Sequence, residues 1–323
     1  MEEKQYHESA VSATRKLQST IARLKMITYA SLIIAVIAIG LAAMPIYNAY
    51  VKGQQPNFGH TLAGINVPLT PSQLAIINNA SNANFETAGE MFLNQSLKNI
   101  AVPVSTTNAL IVNGKVSVIY LGATSCIYCG ENRWAMALAL GKFGKFSSLY
   151  KGYSALQDGD VPTLYWTPAT YNASSGVTWG SNYTSSYISF LPIEYQSPIS
   201  AGFQIQSLPY FQQQAQASGM QQYVLATNMI ANLNTFQGTP YTIWGRSVVP
   251  GVDSVAFAND TTSLANMTHA QVLNQIAHPN NQFAWTQYLG ADLYIAMTCS
   301  SINNAAPICS LPAIKGIQKA NGY

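Results

Sequence analysis

The chain has few charged residues. Asp, Glu, Lys and Arg make up 8% of its 323 residues, and eight of the 27 charged side chains lie in residues 1–25. The rest of the surface must therefore consist mainly of Ser, Thr, Asn, Gln and Tyr, which change charge little with pH. The formal net charge is +3, and no basic patch with interleaved aromatic residues occurs. We therefore expect no nucleic acid partner.

Cysteine and histidine are also scarce, with four of each. The cysteines form two pairs, Cys126/Cys129 and Cys299/Cys309, and the histidines form no compact pair near either of them. A zinc site at the first pair is an alternative. A tetrahedral zinc site takes four ligands, and Cys126 and Cys129 supply only two of them. We expect no metal and no cofactor.

The first cysteine pair forms a C-x-x-C motif, Cys126-Ile-Tyr-Cys129. It follows the apolar run 116–122 and leads into a helical stretch at 130–142. A dithiol where a strand turns into a helix is typical of thioredoxin-like redox sites. The free amide groups and positive dipole at the helix start favour a thiolate at Cys126, the predicted nucleophile, and Cys129 would resolve the mixed disulfide. A purely structural disulfide is the alternative.

A proline facing the dithiol is the second feature expected of such a site. The segment 236–245 contains Thr239-Pro240 before an apolar run, with glycine on both sides. A cis bond at Pro240 would let Thr239 offer its backbone to an extended substrate beside Cys126. Pro162, which also leads an apolar run, is the alternative, and an ordinary turn would explain either proline.

Three large side chains follow the motif. Glu131 and Arg133 are interpreted as solvated helix charges, with tuning of the Cys126 thiolate as the alternative. We interpret Trp134 as helix packing.

The amino-terminal region predicts a membrane anchor. Residues 26–44 carry no charge, and this stretch is long enough to cross the hydrocarbon core of a bilayer as a helix. We assign residues 26–47 to the membrane span. Because basic residues precede the span and only Lys52 follows closely, the amino terminus is predicted to be cytoplasmic and the bulk of the chain extracytoplasmic, in a single-pass cell-membrane protein. A cleaved signal peptide is the alternative.

An extracytoplasmic position makes two further features meaningful. Cys299 and Cys309 close a short loop and are predicted to form a structural disulfide, with exchange with the 126/129 pair as the alternative. Six sequons are glycosylation candidates: Asn79, Asn94, Asn172, Asn182, Asn259 and Asn266.

The chain divides into four segments. They are a cytoplasmic tail (1–25), a transmembrane helix (26–47), a stalk with amino-terminal helices (48–104, the stalk itself at 51–70) and an extracytoplasmic domain (105–323). The domain is predicted to be α/β, a thioredoxin-like sheet with a helical insertion at about 205–235. The insertion would form a lid over substrate or simply cover the sheet.

Shorter patterns place individual elements. Strands are predicted at 146–156, 161–166 and 187–195, a tight turn at Asn113-Gly114 and a polar loop at 167–186. Helices are predicted at 71–77, 86–97, 212–234, 268–277 and 282–299. His269 and His278, which flank one of these helices, are interpreted as surface or capping residues.

The residues resemble an archaeal family, domain of unknown function 929, which is similar to thioredoxin-like proteins. The resemblance covers most of residues 105–310. It is carried by the stretch 120–134 around the motif, Phe143-Gly-Lys-Phe-Ser-Ser, Tyr187-Ile-Ser-Phe-Leu-Pro-Ile-Glu, the Thr-Pro240 strand and the second cysteine pair. The family usually has Trp before the first motif cysteine and Pro after it, where this chain has Ser125 and Ile127.

These observations predict a membrane-anchored thiol–disulfide oxidoreductase that oxidises or isomerises disulfides in exported proteins. Cys126 would attack, Cys129 would resolve, and Thr239 and Pro240 would align the substrate. Its partners would be exported protein thiols or disulfides, membrane lipid through 26–47, and a membrane redox partner. The alternatives are a redox-inert scaffold of a membrane complex and a copper-handling protein that uses the same two thiolates.

Overall fold

The structure, a computed structural model, describes residues 64–94, 105–155, 159–169, 176–196, 206–250 and 261–323. All of them lie in the unit formed by residues 55–323. They form a mixed α/β fold. Its strands are β1 (Ser105–Thr106), β2 (Ile111–Val112), β3 (Lys115–Ala123), β4 (Gly144–Phe146), β5 (Tyr150–Tyr153), β6 (Pro162–Tyr165), β7 (Gly176–Trp179), β8 (Tyr183–Ser185), β9 (Ile188–Gln196), β10 (Tyr241–Trp244) and β11 (Ser247–Pro250).

The helices that accompany these strands lie before, between and after them in the chain. They are α1 (Pro71–Asn78), α2 (Asn82–Leu93), α3 (Ile127–Gly141), α4 (Leu208–Ser218), α5 (Gln221–Leu233), α6 (Thr261–Leu264), α7 (His269–Ala277), α8 (Gln282–Ser301) and α9 (Pro312–Asn321), with a 3₁₀ helix at Pro307–Ser310.

Polar side chains define several helix starts. Thr70 caps α1 and Thr268 caps α7, each in a capping box with the glutamine three residues later. Ser81 caps α2 by accepting a hydrogen bond from the Ala83 amide. As a result α2 begins four residues before the start predicted from its apolar spacing.

The strand before the motif lies inside the main sheet. Among the described residues, seven strands form this sheet in the order β1-β11-β10-β3-β9-β7, with β2 paired to the start of β3. β9 runs parallel to β3, with Ala123 opposite Tyr195. β10 runs antiparallel to β3, with Tyr241 opposite Leu121. The end of β3 and the start of β10 therefore meet at the same end of the sheet.

The predicted Asn-Gly turn joins β2 to β3. Asn113 and Gly114 both have positive φ, +52° and +73°. This is the backbone that a two-residue hairpin turn requires, and Asn-Gly accommodates it best. The turn sets the register in which Ile111 faces Val116.

The side chains of β3 alternate between two buried clusters. Val118 and Tyr120 belong to the larger cluster, and Ile119 and Leu121 to the smaller one. The larger cluster includes side chains of α1, α2, α3, α7, α8 and α9, and the smaller one those of α4 and α5. The sheet is thus covered on both faces, which explains why β3 reads as a continuous apolar run.

α8 packs directly against α3, the helix that follows the motif. It is buried along nearly its whole length, so it shows no polar stripe in its sequence. Tyr294 on α8 stacks on Trp244 at a centroid distance of 4.2 Å and donates a 2.6 Å hydrogen bond to Asn132 on α3. Trp134 is fully buried and donates to the Pro162 carbonyl, so its predicted packing role is confirmed.

Most predicted elements occur where the patterns placed them. The helical stretch at 212–234 forms α4 and α5, and the two tail helices form α7 and α8. The predicted loop at 167–186 is wrong over its second half, because residues 176–179 and 183–185 form β7 and β8. β7 pairs with β9 through its backbone and its side chains are only half-buried, so no apolar alternation marks it.

Two smaller expectations change. His269 is buried, not on the surface, and its Nε2–H faces the carbonyls of Gly152 and Thr163, both at 2.9 Å. His278 follows α7 as its capping residue, as predicted. Residues 64–70, from the predicted stalk, contact the domain: Leu69 is buried and its amide donates to the Leu149 carbonyl at 2.8 Å.

The predicted anchor at 26–47 lies outside the described residues. Within the part of the chain that is described, no helix has both the length and the apolar character needed to span a bilayer. Of the sequons, Asn79, Asn94, Asn182 and Asn266 are exposed. Asn172 and Asn259 lie outside the described residues.

The second cysteine pair is joined in the structure. Cys299 near the end of α8 and Cys309 in the 3₁₀ helix form a disulfide across a Cα–Cα distance of 5.5 Å. Both sulfurs belong to the larger hydrophobic cluster, whereas Cys126 and Cys129 belong to the smaller one. The two pairs therefore pack in different parts of the hydrophobic core.

Replacing both Cys299 and Cys309 with Ala should destabilise the fold by about 3 kcal/mol, because the unfolded chain then loses the constraint of a loop of about ten residues. Urea unfolding without reductant measures this as a lower midpoint with a nearly constant slope. Equal midpoints for the two proteins would contradict a stabilising disulfide.

Asp292 is a buried carboxyl in the middle of α8. It is fully buried and, among the described residues, neither carboxyl oxygen has a hydrogen-bond partner. Burial, followed by the charge of Glu86, raises the pKa of Asp292 well above its ordinary value. The folded state therefore favours the neutral acid, while the unfolded chain ionises near pH 4.

Stability should consequently fall as the pH rises above about 4, because the unfolded state releases the proton that folded Asp292 retains. Asp292→Asn removes this loss. We compare the free energy of unfolding of the variant with that of wild type. The difference should favour the variant by at least about 1.4 kcal/mol more at pH 7 than at pH 4. Urea unfolding at the two pH values measures the difference.

The matched control is Glu90→Gln, which neutralises an exposed carboxylate on α2. Its change in stability at each pH is the reference for Asp292→Asn. An effect of Asp292→Asn that is the same at both pH values would show that Asp292 ionises as easily in the folded protein as in the unfolded chain. Glu86 and Tyr288 are the titratable neighbours to consider in fitting the curves.

Candidate functional site: a buried dithiol

The motif lies at the junction of β3 and α3. β3 ends at Ala123, and Cys126 is the N-cap of α3 with extended backbone (φ −74°, ψ 126°). Its sulfur accepts a hydrogen bond from the Cys129 amide at 3.3 Å. Cys126 therefore takes the position that serine or aspartate usually occupies at a helix start, and its sulfur lies where the helix dipole stabilises negative charge.

The two sulfurs differ in depth. Cys126 is 6% exposed and Cys129 is fully buried, and both are free thiols. The Ala123 amide donates to the Cys129 sulfur at 3.5 Å. Cys126 is therefore the sulfur that an external molecule reaches first, which fits the roles predicted for the two residues.

Of the two prolines weighed from the sequence, Pro240 lies beside the dithiol. The Thr239–Pro240 bond is cis, and the Thr239 carbonyl accepts a hydrogen bond from the Cys126 thiol at 3.8 Å. Pro162 begins β6, and its carbonyl is occupied by the Trp134 indole. The antiparallel pairing of β10 with β3 brings Thr239 to the end of the sheet where Cys126 lies.

The charges after the motif are buried, which corrects the expectation of solvated helix charges. Glu131 and Arg133 have no exposed surface. Arg133 forms an ion pair with Glu194 of β9, and Glu194 is 2% exposed. No residue near Arg133 in the sequence marks a partner for it. The one signal of its burial is Glu194, a lone carboxylate in the apolar strand β9.

The Arg133 guanidinium is held by several groups at once. Its Nη2 donates to the Ala123 carbonyl at 2.7 Å as well as to Glu194, and its Nη1 donates to the Thr163 hydroxyl at 3.3 Å. The rings of Tyr120 and Tyr165 lie 5.8 and 5.6 Å from the guanidinium carbon. These contacts are what a buried cation needs in place of water.

The charge states of the pair follow from this packing. Burial acts to lower the pKa of Arg133, but the attractions of Glu194, Tyr120, Cys129 and Tyr165 together outweigh it and raise the pKa, so the guanidinium keeps its proton. Burial raises the pKa of Glu194 despite the opposing charge of Arg133. Burial also raises the pKa of Tyr120 well above its ordinary value, so this ring stays neutral beside the ion pair.

The two thiols share a proton. The hydrogen bond with Cys129, followed by burial, raises the pKa of Cys126 well above its ordinary value. Burial acts to raise the pKa of Cys129 too, but the hydrogen bond from Cys126, the charge of Arg133 and the hydrogen bonds with Ala123 and Thr239 together outweigh it, so the pKa of Cys129 is lowered. The pair therefore releases its first proton readily and holds the second.

This distribution differs from the expected thiolate at Cys126. The hydrogen bond from Cys126 and the charge of Arg133 favour the anion on the deeper sulfur, that of Cys129. Moving the shared proton from Cys126 to Cys129 creates a thiolate at the shallower sulfur, that of Cys126, in a single step. The site can thus present a nucleophile without taking a second charge out of water.

Within the described residues, no group of three or more His, Cys, Asp and Glu side chains is arranged to hold a metal ion. Two neighbouring thiols can carry out exchange at sulfur.

Comparison with known proteins gives a family match. A family model described as a domain of unknown function (DUF929) matches residues 101–300, more than half of the chain. No curated protein and no solved structure matches significantly.

The difference in exposure predicts unequal alkylation. In the native protein at pH 8, iodoacetamide should modify the Cys129→Ser variant, which retains Cys126, at least about tenfold faster than the Cys126→Ser variant, because only a reachable thiol reacts. Mass spectrometry over time measures both rates. In urea the two variants should react alike, and equal rates in the native state would contradict the assigned depths.

Proposed function

The chain belongs to the DUF929 family, whose name gives no activity, and we propose that it is a thiol–disulfide oxidoreductase with a thioredoxin-like core. The observation that carries this proposal is the position of Cys126. It caps a helix, is the more exposed of the two sulfurs and contacts the carbonyl of Thr239, while Cys129 lies buried behind it. A dithiol that only stapled the fold would need neither the exposure nor the adjacent backbone.

The reaction transfers two electrons between the dithiol and a substrate disulfide. The Cys126 thiolate attacks one substrate sulfur, the substrate S–S bond breaks, and the departing thiolate takes a proton from water. Cys129 then loses its proton and attacks the Cys126 sulfur. The Cys126–Cys129 bond forms and the second substrate thiolate leaves. In the reverse direction the same steps oxidise a substrate dithiol.

The substrate proposed is an extended polypeptide segment that contains cysteine. The backbone of Thr239 precedes a proline and lies beside Cys126, where it can pair with a chain in extended conformation. Tyr128, between the two cysteines, is 38% exposed and offers an aromatic surface next to the reacting sulfur. The backbone of Thr239 and the uncharged ring of Tyr128 would bind a substrate without reading its side-chain charges. Such binding suits an enzyme that oxidises or isomerises disulfides in many exported proteins.

Place and partners follow from the sequence. The predicted span at 26–47 would anchor the domain outside the cytoplasm, in contact with lipid and within reach of a membrane redox partner. The Cys299–Cys309 disulfide is typical of an oxidising compartment. The exposed Asn79, Asn94, Asn182 and Asn266 are suitable for glycans there.

The copper-handling alternative fits the site less well. Cu(I) bound by Cys126 and Cys129 would need both as thiolates, whereas the raised pKa of Cys126 makes the pair hold its second proton. The redox-inert scaffold is the alternative that experiment has to separate.

Redox titration of the purified full-length chain in graded glutathione buffers tests the proposal. The 126/129 pair should pass reversibly between dithiol and disulfide with a midpoint between about −120 and −270 mV, the range of known oxidoreductases. Alkylation followed by mass spectrometry assigns the pair, and Cys126→Ser should abolish the transition. The Cys299–Cys309 disulfide should stay closed throughout.

A 126/129 pair that changes state only when the protein unfolds would contradict the proposal. The dithiol would then be structural, and the scaffold function would take its place.

A further inference from the structure

A buried cation lies one helical turn beyond the resolving cysteine. Arg133 follows Cys129 by four residues on α3, so the two side chains lie on the same face of the helix. Arg133 donates to the carbonyl of Ala123, and the amide of the same Ala123 donates to the Cys129 sulfur. One backbone residue thus connects the guanidinium to the sulfur.

We propose that Arg133 is the positioning residue of the resolving step: it lets Cys129 exist as a thiolate once Cys126 is covalently bound to substrate sulfur. This inference rests on the proposed oxidoreductase function. It adds the group that controls the second step of the reaction, the attack of Cys129 on the mixed disulfide. Arg133 is fully buried and touches no substrate, and in the resolving step it acts through the ionisation of Cys129.

The mixed disulfide removes the donor that Cys129 has in the free protein. Before reaction, the thiol hydrogen of Cys126 can turn from the Thr239 carbonyl to the Cys129 sulfur and stabilise its anion by a hydrogen bond. After attack, Cys126 is bonded to a substrate sulfur and has no hydrogen left to donate. Cys129 must then lose its own proton to water while fully buried. Of the groups that stabilise its anion, the charge of Arg133, the Ala123 amide and the hydrogen bond with Thr239 remain, and among these only Arg133 carries a charge.

Glu194 competes for the same cation. It pairs with the guanidinium group that stabilises Cys129, so its negative charge weakens the field of Arg133 at the sulfur. The neighbouring titratable groups are the rings of Tyr120 and Tyr165, which lie against the guanidinium, and Cys126 itself. Neutralising Arg133 and neutralising Glu194 should therefore shift the ionisation of Cys129 in opposite directions, which a simple loss of packing would not do.

The first experiment titrates Cys129 without its partner thiol. In full-length Cys126→Ala, thiolate absorbance at 240 nm against pH reports Cys129, because the other cysteines are in a disulfide. Adding Arg133→Met should raise the midpoint by at least about one pH unit, a tenfold loss of thiolate below it. Adding Glu194→Gln should lower the midpoint. Arg133→Lys, which keeps the charge, should restore much of the loss.

The second experiment follows the resolving step with the neutral probe 4,4′-dithiodipyridine. Reduced protein should release one thiopyridone on attack by Cys126 and a second on attack by Cys129. Arg133→Met should slow the second release about tenfold at neutral pH and change the first much less. Arg246→Met, which removes an exposed guanidinium from the β10–β11 turn, is the matched control and should alter neither phase.

The outcomes separate the two proposals. Opposite shifts of the Cys129 midpoint in the Arg133→Met and Glu194→Gln variants support the role of Arg133. No shift with Arg133→Met, or shifts in the same direction for both variants, overturns it. If Arg133→Met does not fold, Glu194→Gln and Arg133→Lys decide. Wild-type protein that releases no thiopyridone refutes the oxidoreductase function, while the titration in Cys126→Ala still decides the role of Arg133.

Discussion

The buried ion pair between Arg133 and Glu194 is the interaction on which the site depends. Removing two charges from water costs several kcal/mol for each ion, and only close contacts and further hydrogen bonds compensate this. Arg133 obtains them from Ala123, Thr163 and Glu194. These partners belong to β3, β6 and β9, so the guanidinium fixes the helix that carries the dithiol to three strands at once.

Sheet register then brings the reacting groups together. The parallel pairing of β3 with β9 places Glu194 opposite Gly122, one residue before Ala123. The antiparallel pairing of β10 with β3 places Thr239 beside Cys126. Neither arrangement depends on a flexible side chain, because backbone hydrogen bonds define both. Sites supported by rigid elements keep the sub-ångström geometry that sulfur exchange requires.

Local patterns predicted the frame of the site but not its electrostatics. The strand, motif and helix at 116–142 and the cis proline were visible because each is marked by adjacent residues. The burial of Arg133, the pairing with Glu194 and the inward position of His269 depend on contacts between residues far apart in sequence, which composition and periodicity do not contain. β7 was missed for the same reason, since its place is defined by pairing with β9 and not by its own side chains.

The scarcity of charge in the chain gives the ion pair its influence. Few ionisable side chains lie beyond residue 25, and those on the surface are screened by solvent and salt within about 10 Å. Arg133 and Glu194 are inside, where screening is weak. Among the described residues, the ionisation of the two sulfurs is governed by burial, by each sulfur's effect on the other, by the charge of Arg133 and by hydrogen bonds with Ala123, Cys129 and Thr239. A surface that changes charge little with pH leaves the field of this ion pair nearly independent of the medium outside, so the chemistry of the dithiol is governed by the protein interior.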